Sequence, residues 1–256
     1  MNDDIGLFAV IISIAIVIIG LMFNTQKTLT PGIFVTNTYL YIILAILLLS
    51  LIIIVIDKYQ LININNMNGM MYFCVFIMTL LVLSAFTIIG NTNVILRNIL
   101  WLVFIACMAV ILYPIFDVTK STGVFWKSIV TVIIIVLVLT MIASMVPEDF
   151  FNSWGSYLSI ALLALIVFEI IDLLFSGPSG PPTGHIKIFA ILAVIIFSGF
   201  LLYDTSRLYQ NAKIATVQCA GQTNQLQCAD YPGESLSLFL DIVNLFANTA
   251  TLQSLP

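Results

Sequence analysis

The sequence predicts an all-α, polytopic membrane helix bundle, and three observations predict it. Hydrophobic residues fill 61% of the 256 positions and charged residues only 8%, whereas soluble domains are nearer half apolar. Apolar runs of roughly the 17–25 residues needed to cross a bilayer recur along the chain. These runs lack strand-like alternation, so a backbone without water to bond to must close its hydrogen bonds within helices.

The first run, Ile5–Phe23, is headed by Asp3 and Asp4 rather than by basic residues. The following "GLMFNTQ" is a poor small-residue cleavage site, so a retained anchor is expected rather than a signal peptide. Thr38–Ile56, Met71–Ile89, Ile99–Phe116, Trp126–Met145, Trp154–Phe175 and Ile186–Tyr203 follow as strong segments. Leu236–Thr249 is an eighth, apolar but interrupted by polar residues. Connections are short and leave no room for a soluble catalytic domain. No basic stripe interleaved with aromatics exists, so nucleic acid is not an expected partner. The lipid bilayer is the expected partner, with other membrane proteins or a homo-oligomer as further candidates. Eight spans place Lys58, Lys120, Lys127 and Lys187 on one side and Lys27, Arg97, Arg207 and Lys213 on the other. The positive-inside rule needs an asymmetry and finds none.

Few motifs carry chemistry. Cys74 and Cys107 lie inside apolar segments and read as small buried hydrophobes. Cys219 and Cys228 share the polar loop "TVQCAGQTNQLQCADYPGE". That pair is a disulfide if the loop faces an oxidising compartment, and otherwise two free thiols. A metal site is disfavoured, because the spacing is not CxxC and no second pair exists. Gly177–Gly180 with His185 resembles an intramembrane serine protease motif only superficially. Its Ser179 sits in a Pro/Gly-rich turn beside the chain's one histidine, and such a turn explains the same letters. No nucleophile, base and orienting group come together, so no enzyme is expected.

Acids within apolar segments are the sharper signal, because an ionisable group in a span costs roughly 2.5–3.5 kcal/mol at the helix centre. Asp204 stands at the end of the seventh segment and Asp241 inside the eighth. Ser237, Asp241, Asn244 and Asn248 recur at i, i+4, i+7 and i+11, one helical face, with Glu234 one turn ahead. Such a face is expected to line a cavity or to hydrogen-bond other helices. Glu169 and Asp172 form another acid pair one turn apart, near the end of their segment, where interfacial water alone could explain them. Asp57 and Lys58 read as interface anchors.

The tail "FSGFLLYDTSRL" followed by "LSLFLDIVNLF" resembles the last two helices of the Bax inhibitor family. The matching positions are Tyr203, Asp204 and Thr205, then Leu236, Leu238, Leu240, Asp241, Asn244, Leu245 and Phe246. "VILYPIF" around Pro114 is similar to the close of that family's third helix, and "SYLSIALLALIVF" from Ser156 to its fifth. The resemblance implies seven family-like transmembrane helices in residues 38–256, with residues 1–37 an extra N-terminal helix and loop. It implies an endomembrane or bacterial inner-membrane protein that leaks calcium and, in eukaryotes, modulates apoptosis, whereas a virion inner membrane belongs to the structural alternative below. It further implies that Asp204 and Asp241 are a hydrogen-bonded, pH-sensing pair. Arg97 is the nearest basic residue to the family's gating latch.

Physical chemistry makes that mechanism reasonable. Two close carboxylates in a low dielectric cannot both ionise cheaply, so they titrate jointly. A shared proton clamps the last two helices, and its loss leaves hard oxygen ligands suited to Ca²⁺. No cofactor is expected beyond Ca²⁺ as the permeant ion. The alternative is a structural or interaction protein, including a viral membrane or virion component, that keeps the fold without conductance. The Ile/Asn bias of "LININNMNGMMY" and the added first helix favour that alternative.

Overall fold

The computed structural model describes residues 2–24, 28–62, 69–89, 94–147, 149–175, 183–221 and 228–255. Among them are eight α-helices: α1 (Asn2–Asn24), α2 (Pro31–Tyr59), α3 (Gly69–Ile89) and α4 (Val94–Ser121), then α5 (Phe125–Met145), α6 (Trp154–Phe175), α7 (Thr183–Gln218) and α8 (Tyr231–Ser254). By length and composition, six are candidate membrane spans within the described residues, α2 and α4 to α8. The apolar stretches Ala9–Asn24 in α1 and Phe73–Ile89 in α3 are shorter. The chain is thus a multi-pass helical membrane protein.

Several boundaries differ from the hydropathy pattern. α2 begins at Pro31 rather than Thr38, and α4 at Val94 rather than Ile99. α4 does not stop near Pro114 but carries that proline in its interior and continues to Ser121. α7 runs on past Tyr203 to Gln218, and α8 begins at Tyr231 rather than Leu236. Hydropathy reports where lipid ends, whereas a helix continues for as long as its i→i−4 bonds are favourable. Asp204 therefore lies in the body of α7 and not at a helix end.

The chain divides into two compact units. Unit 1 comprises Met1–Pro114 and Asn211–Phe239. In it α1 packs on α2, and Asn24 Nδ2 donates to Asn37 Oδ1 at 2.9 Å. Pro31 opens α2 in the position where a missing N–H costs nothing, and Thr30 Oγ1 caps it by accepting from the Ile33 N–H. An aromatic cluster joins the starts of three helices. Tyr231 stacks on Tyr41 with ring centroids 6.0 Å apart, and Phe34 and Trp101 flank the two.

Beside that cluster lies an ion pair. The Arg97 guanidinium, on α4, donates from Nε and Nη2 to the two oxygens of Asp230, and from Nη1 to the Phe86 carbonyl of α3 at 2.9 Å. Its face covers the Phe86 ring at 4.0 Å. Arg97 is only 8% exposed, so all this satisfaction is internal. Asp230 also accepts from the Gly233 N–H at 3.0 Å, capping α8 in the manner of an N-cap aspartate. Gly233 must lack a side chain, because a Cβ there would stand 2.0 Å from Asp230 Oδ2 and 2.6 Å from Arg97 Nη2.

Unit 2 comprises Ile115–Gln210 and Leu240–Pro256. Here α6 and α7 approach through glycines. Gly155 faces the Tyr203 ring, which a Cβ would meet at 2.6 Å, and Gly199 faces Leu158 at 2.7 Å. Gln253 of α8 bridges two residues of α5, accepting from Ser128 Oγ at 3.1 Å and donating to Thr131 Oγ1 at 3.1 Å. Phe125 of α5 meets Phe246 of α8 edge-on.

Removing one partner of a buried ion pair strands the other, at a cost of about 3–5 kcal/mol. Asp230→Ala is therefore expected to lower the unfolding free energy in detergent by about that amount. An Arg97→Met, Asp230→Leu double variant should recover most of the loss. A single variant as stable as the parent would contradict the clamp. Gly155→Val is expected to cost about 1–3 kcal/mol by overpacking against Tyr203, whereas Ser156→Ala, on the exposed side of the same turn, should melt like the parent.

Candidate functional site

The two aspartates singled out in the sequence meet in unit 2. Asp204 is half-buried on α7 and Asp241 is buried on α8, 5% exposed, and the two carboxyl groups are near enough to interact. An ionised carboxylate only accepts, so two carboxyl groups can hydrogen-bond each other only when one of them holds a proton. The contact follows from local structure. Tyr203, the residue before Asp204, is seated against Gly155 of α6, which fixes the rotation of α7 at this turn. Thr205, the residue after it, is fully buried. Phe239 and Val243, two residues either side of Asp241 on α8, are buried as well.

Four buried side-chain oxygens of α7 and α8 find no hydrogen-bond partner among the described residues: Thr205 Oγ1, Tyr231 Oη, Asp241 Oδ2 and Thr249 Oγ1. Buried polar atoms are nearly always paired, so the open oxygen on Asp241 itself marks this carboxyl as unusual. Among the described residues no group of three or more His, Cys, Asp or Glu stands ready to hold a metal. The donor set at the pair is two carboxyl groups, hard oxygens of the type that contacts Ca²⁺, with fewer ligands than a resident ion needs.

The rest of the polar stripe behaves differently from the pair. Asn244 Nδ2 donates to the Leu240 carbonyl at 2.8 Å, and Asn248 Nδ2 to the Asn244 carbonyl at 2.9 Å. Both amides thus bond back to their own helix. Ser237 Oγ reaches the Glu234 carbonyl only at 3.5 Å. Glu234 takes two bonds from Asn211 Nδ2, at 2.9 and 3.1 Å, within unit 1. Helical spacing showed that these residues share a face, but not where each spends its hydrogen bonds.

Arg97 is held by Asp230 and Phe86 within unit 1. Cys219 and Cys228 are joined by a disulfide, with Cα atoms 5.8 Å apart. Cys74 is exposed and Cys107 half-buried, so neither is the fully buried hydrophobe that its apolar segment suggested. Gly177–Gly180 lie outside the described residues. His185 instead contacts Asp172, Nδ1 to Oδ1 at 2.8 Å. Sequence reading named both residues without pairing them, and it passed over Asp230 and Gln253. Asp230 had a readable signal, an aspartate two residues before a proline at the start of an apolar run, which is an N-cap pattern.

Comparison with known proteins adds a second line. The family model described as "Inhibitor of apoptosis-promoting Bax1" matches residues 31–254, from the first residue of α2 to the last of α8. Protein LIFEGUARD 2 of Arabidopsis thaliana is 31% identical over 137 residues, 52% of this chain and 48% of that protein. Protein LIFEGUARD 4 of the same plant is 34% identical over 104 residues, 40% of this chain and 34% of that protein. An uncharacterized protein of Caulobacter vibrioides is 34% identical over 97 residues, 37% of this chain and 34% of that protein. The chain spans between about a third and a half of the length of these curated relatives. The family match takes in the helices that carry both aspartates, and on that evidence the chain belongs to the Bax inhibitor family of multi-pass, non-enzymatic membrane proteins.

Proposed function

We propose that the chain forms a Ca²⁺ leak pathway gated by the Asp204–Asp241 pair, through which it modulates cell death. The observation that carries this reading is the approach of two carboxyl groups on the last two helices, one of them buried with an oxygen that has no partner among the described residues. With one proton shared, the pair clasps α7 to α8. Losing that proton replaces the bond with repulsion between like charges in a poorly screened site. The freed oxygens then offer a cation a transient foothold, and two carboxylates are few enough to let it leave. Conductance therefore rises with pH.

Arg97 is a second holding point in this reading. Its partner Asp230 caps α8, eleven residues ahead of Asp241 on the same helix, so the ion pair fixes the end of the helix that carries the sensor. The N-terminal addition to a seven-helix family domain is read as residues 1–30 rather than 1–37, because the family match begins at the first residue of α2, Pro31. The disulfide favours an oxidising compartment for the loop after α7. A structural protein that keeps the fold without conducting is the other reading, and the added helix α1 favours it.

In proteoliposomes loaded with a calcium dye, the parent should leak Ca²⁺ faster as pH is raised. Asp204→Asn and Asp241→Asn, which keep hydrogen-bonding capacity but cannot ionise, should each flatten that pH response. Flux in both variants identical to the parent at every pH would sink the gating mechanism, and no flux in any of them would favour the structural reading. In cells, an impermeant maleimide should label Cys219 and Cys228 from the luminal or external side only after reduction. Labelling from the cytosolic side without reductant would overturn the placement of the loop.

A further inference from the structure

Asp172 and His185 form a polar feature that the carboxylate pair leaves unused. Asp172 lies in the last turn of α6 and His185 in the first turn of α7, so both side chains stand at neighbouring helix ends. His185 Nδ1 lies 2.8 Å from Asp172 Oδ1. With that nitrogen donating to the carboxylate, Nε2 is left as an acceptor. Asp172 Oδ2 is buried and has no donor among the described residues. Alongside opens a cleft of ≈ 370 Å³ with Phe168, Ile171, Ile188 and Phe189 as its apolar walls and Asp172 and His185 on its lining. That volume falls in the range of small-molecule sites, roughly 300–1,000 Å³. One turn before Asp172, Glu169 is exposed on a helix whose neighbouring Phe168 and Ile170 are exposed too.

The chemistry of the cleft selects its occupant. Its polar end offers acceptors and negative charge, so an anionic or phosphate-bearing head would be repelled. A quaternary ammonium has no N–H and would leave the Asp172 oxygen unpaired. A primary ammonium supplies three donors and the complementary charge. The apolar walls require a hydrocarbon tail.

We propose that the α6–α7 cleft binds a single-chain amphiphile with a primary ammonium head, seated on Asp172 and His185 with its tail between Phe168, Ile171, Ile188 and Phe189. Glu169 stands one turn away on α6. The test uses the full chain in phosphatidylcholine nanodiscs with nitroxide-labelled dodecylamine and, as a control, dodecanol carrying the same label. Electron spin resonance reads the immobilised fraction. The amine should bind saturably and at least about tenfold more tightly than the alcohol, as expected for a charged hydrogen bond. Unlabelled dodecylamine should displace it, and dodecyltrimethylammonium, phosphatidylethanolamine and phosphatidylglycerol should not. Asp172→Asn should weaken amine binding about tenfold, and Glu169→Gln should weaken it less. An alcohol that binds as well as the amine, displacement by the quaternary amine or by either lipid, or unchanged binding in Asp172→Asn would each overturn the proposal. The amine–alcohol comparison is made on the parent protein, so a variant that fails to fold does not leave the question open.

Discussion

Hydrocarbon supplies no hydrogen bonds, and that constraint decides where every polar group in this chain can stand. Most hydroxyls in the spans solve the problem locally by donating to the carbonyl one turn earlier, as Thr38, Ser50 and Thr79 do. Groups with more donors or a charge cannot be satisfied by one helix, and they are what ties helices together. Arg97 needs a carboxylate from Asp230 and both the carbonyl and the ring of Phe86 to meet its five N–H groups. Gln253 needs two hydroxyls of α5. The apolar side chains fill space between these fixed points, and many others face outward, where lipid takes the place of a partner.

Against that background the carboxyl pair is distinctive because its needs are only partly met. Asp241 is as buried as Arg97, yet one of its oxygens has no donor among the described residues. A fully satisfied polar group fixes a single arrangement, whereas a partly satisfied one leaves a second arrangement within reach. Asp230 and Asp241 lie on one helix and illustrate the two cases. The first carboxylate has a guanidinium and a backbone N–H, and the second has another acid.

The sequence made some of this legible and hid the rest for identifiable reasons. All eight helices were readable, because the cost of unpaired backbone in lipid leaves a long apolar run no other form. The Asp204–Asp241 relation was readable only through resemblance to the tail of a known family, since hydropathy marked each residue as a separate anomaly. The lengths of α4, α7 and α8 were underestimated, because Asp117, Lys120, Arg207 and Lys213 look like the end of a span while the backbone beneath them stays helical. The Arg97–Asp230 pair was out of reach, as 133 positions separate its members and nothing periodic links them. The Asx-type start of α8 at Asp230 was in plain view, but a cap alone does not announce a cationic partner.

The length of α7 carries a consequence of its own. At 1.5 Å per residue its 36 residues extend about 54 Å, well beyond a hydrocarbon core of about 30 Å. A helix so long must tilt or carry its ends into the headgroups, and the balance between the two depends on bilayer thickness. Asp204 sits just past the midpoint of this helix, so its depth is set by that tilt. The carboxyl pair is thereby exposed to the mechanics of the membrane as well as to its protons, and a thicker or thinner bilayer acts on the residue that chemistry alone would seem to govern.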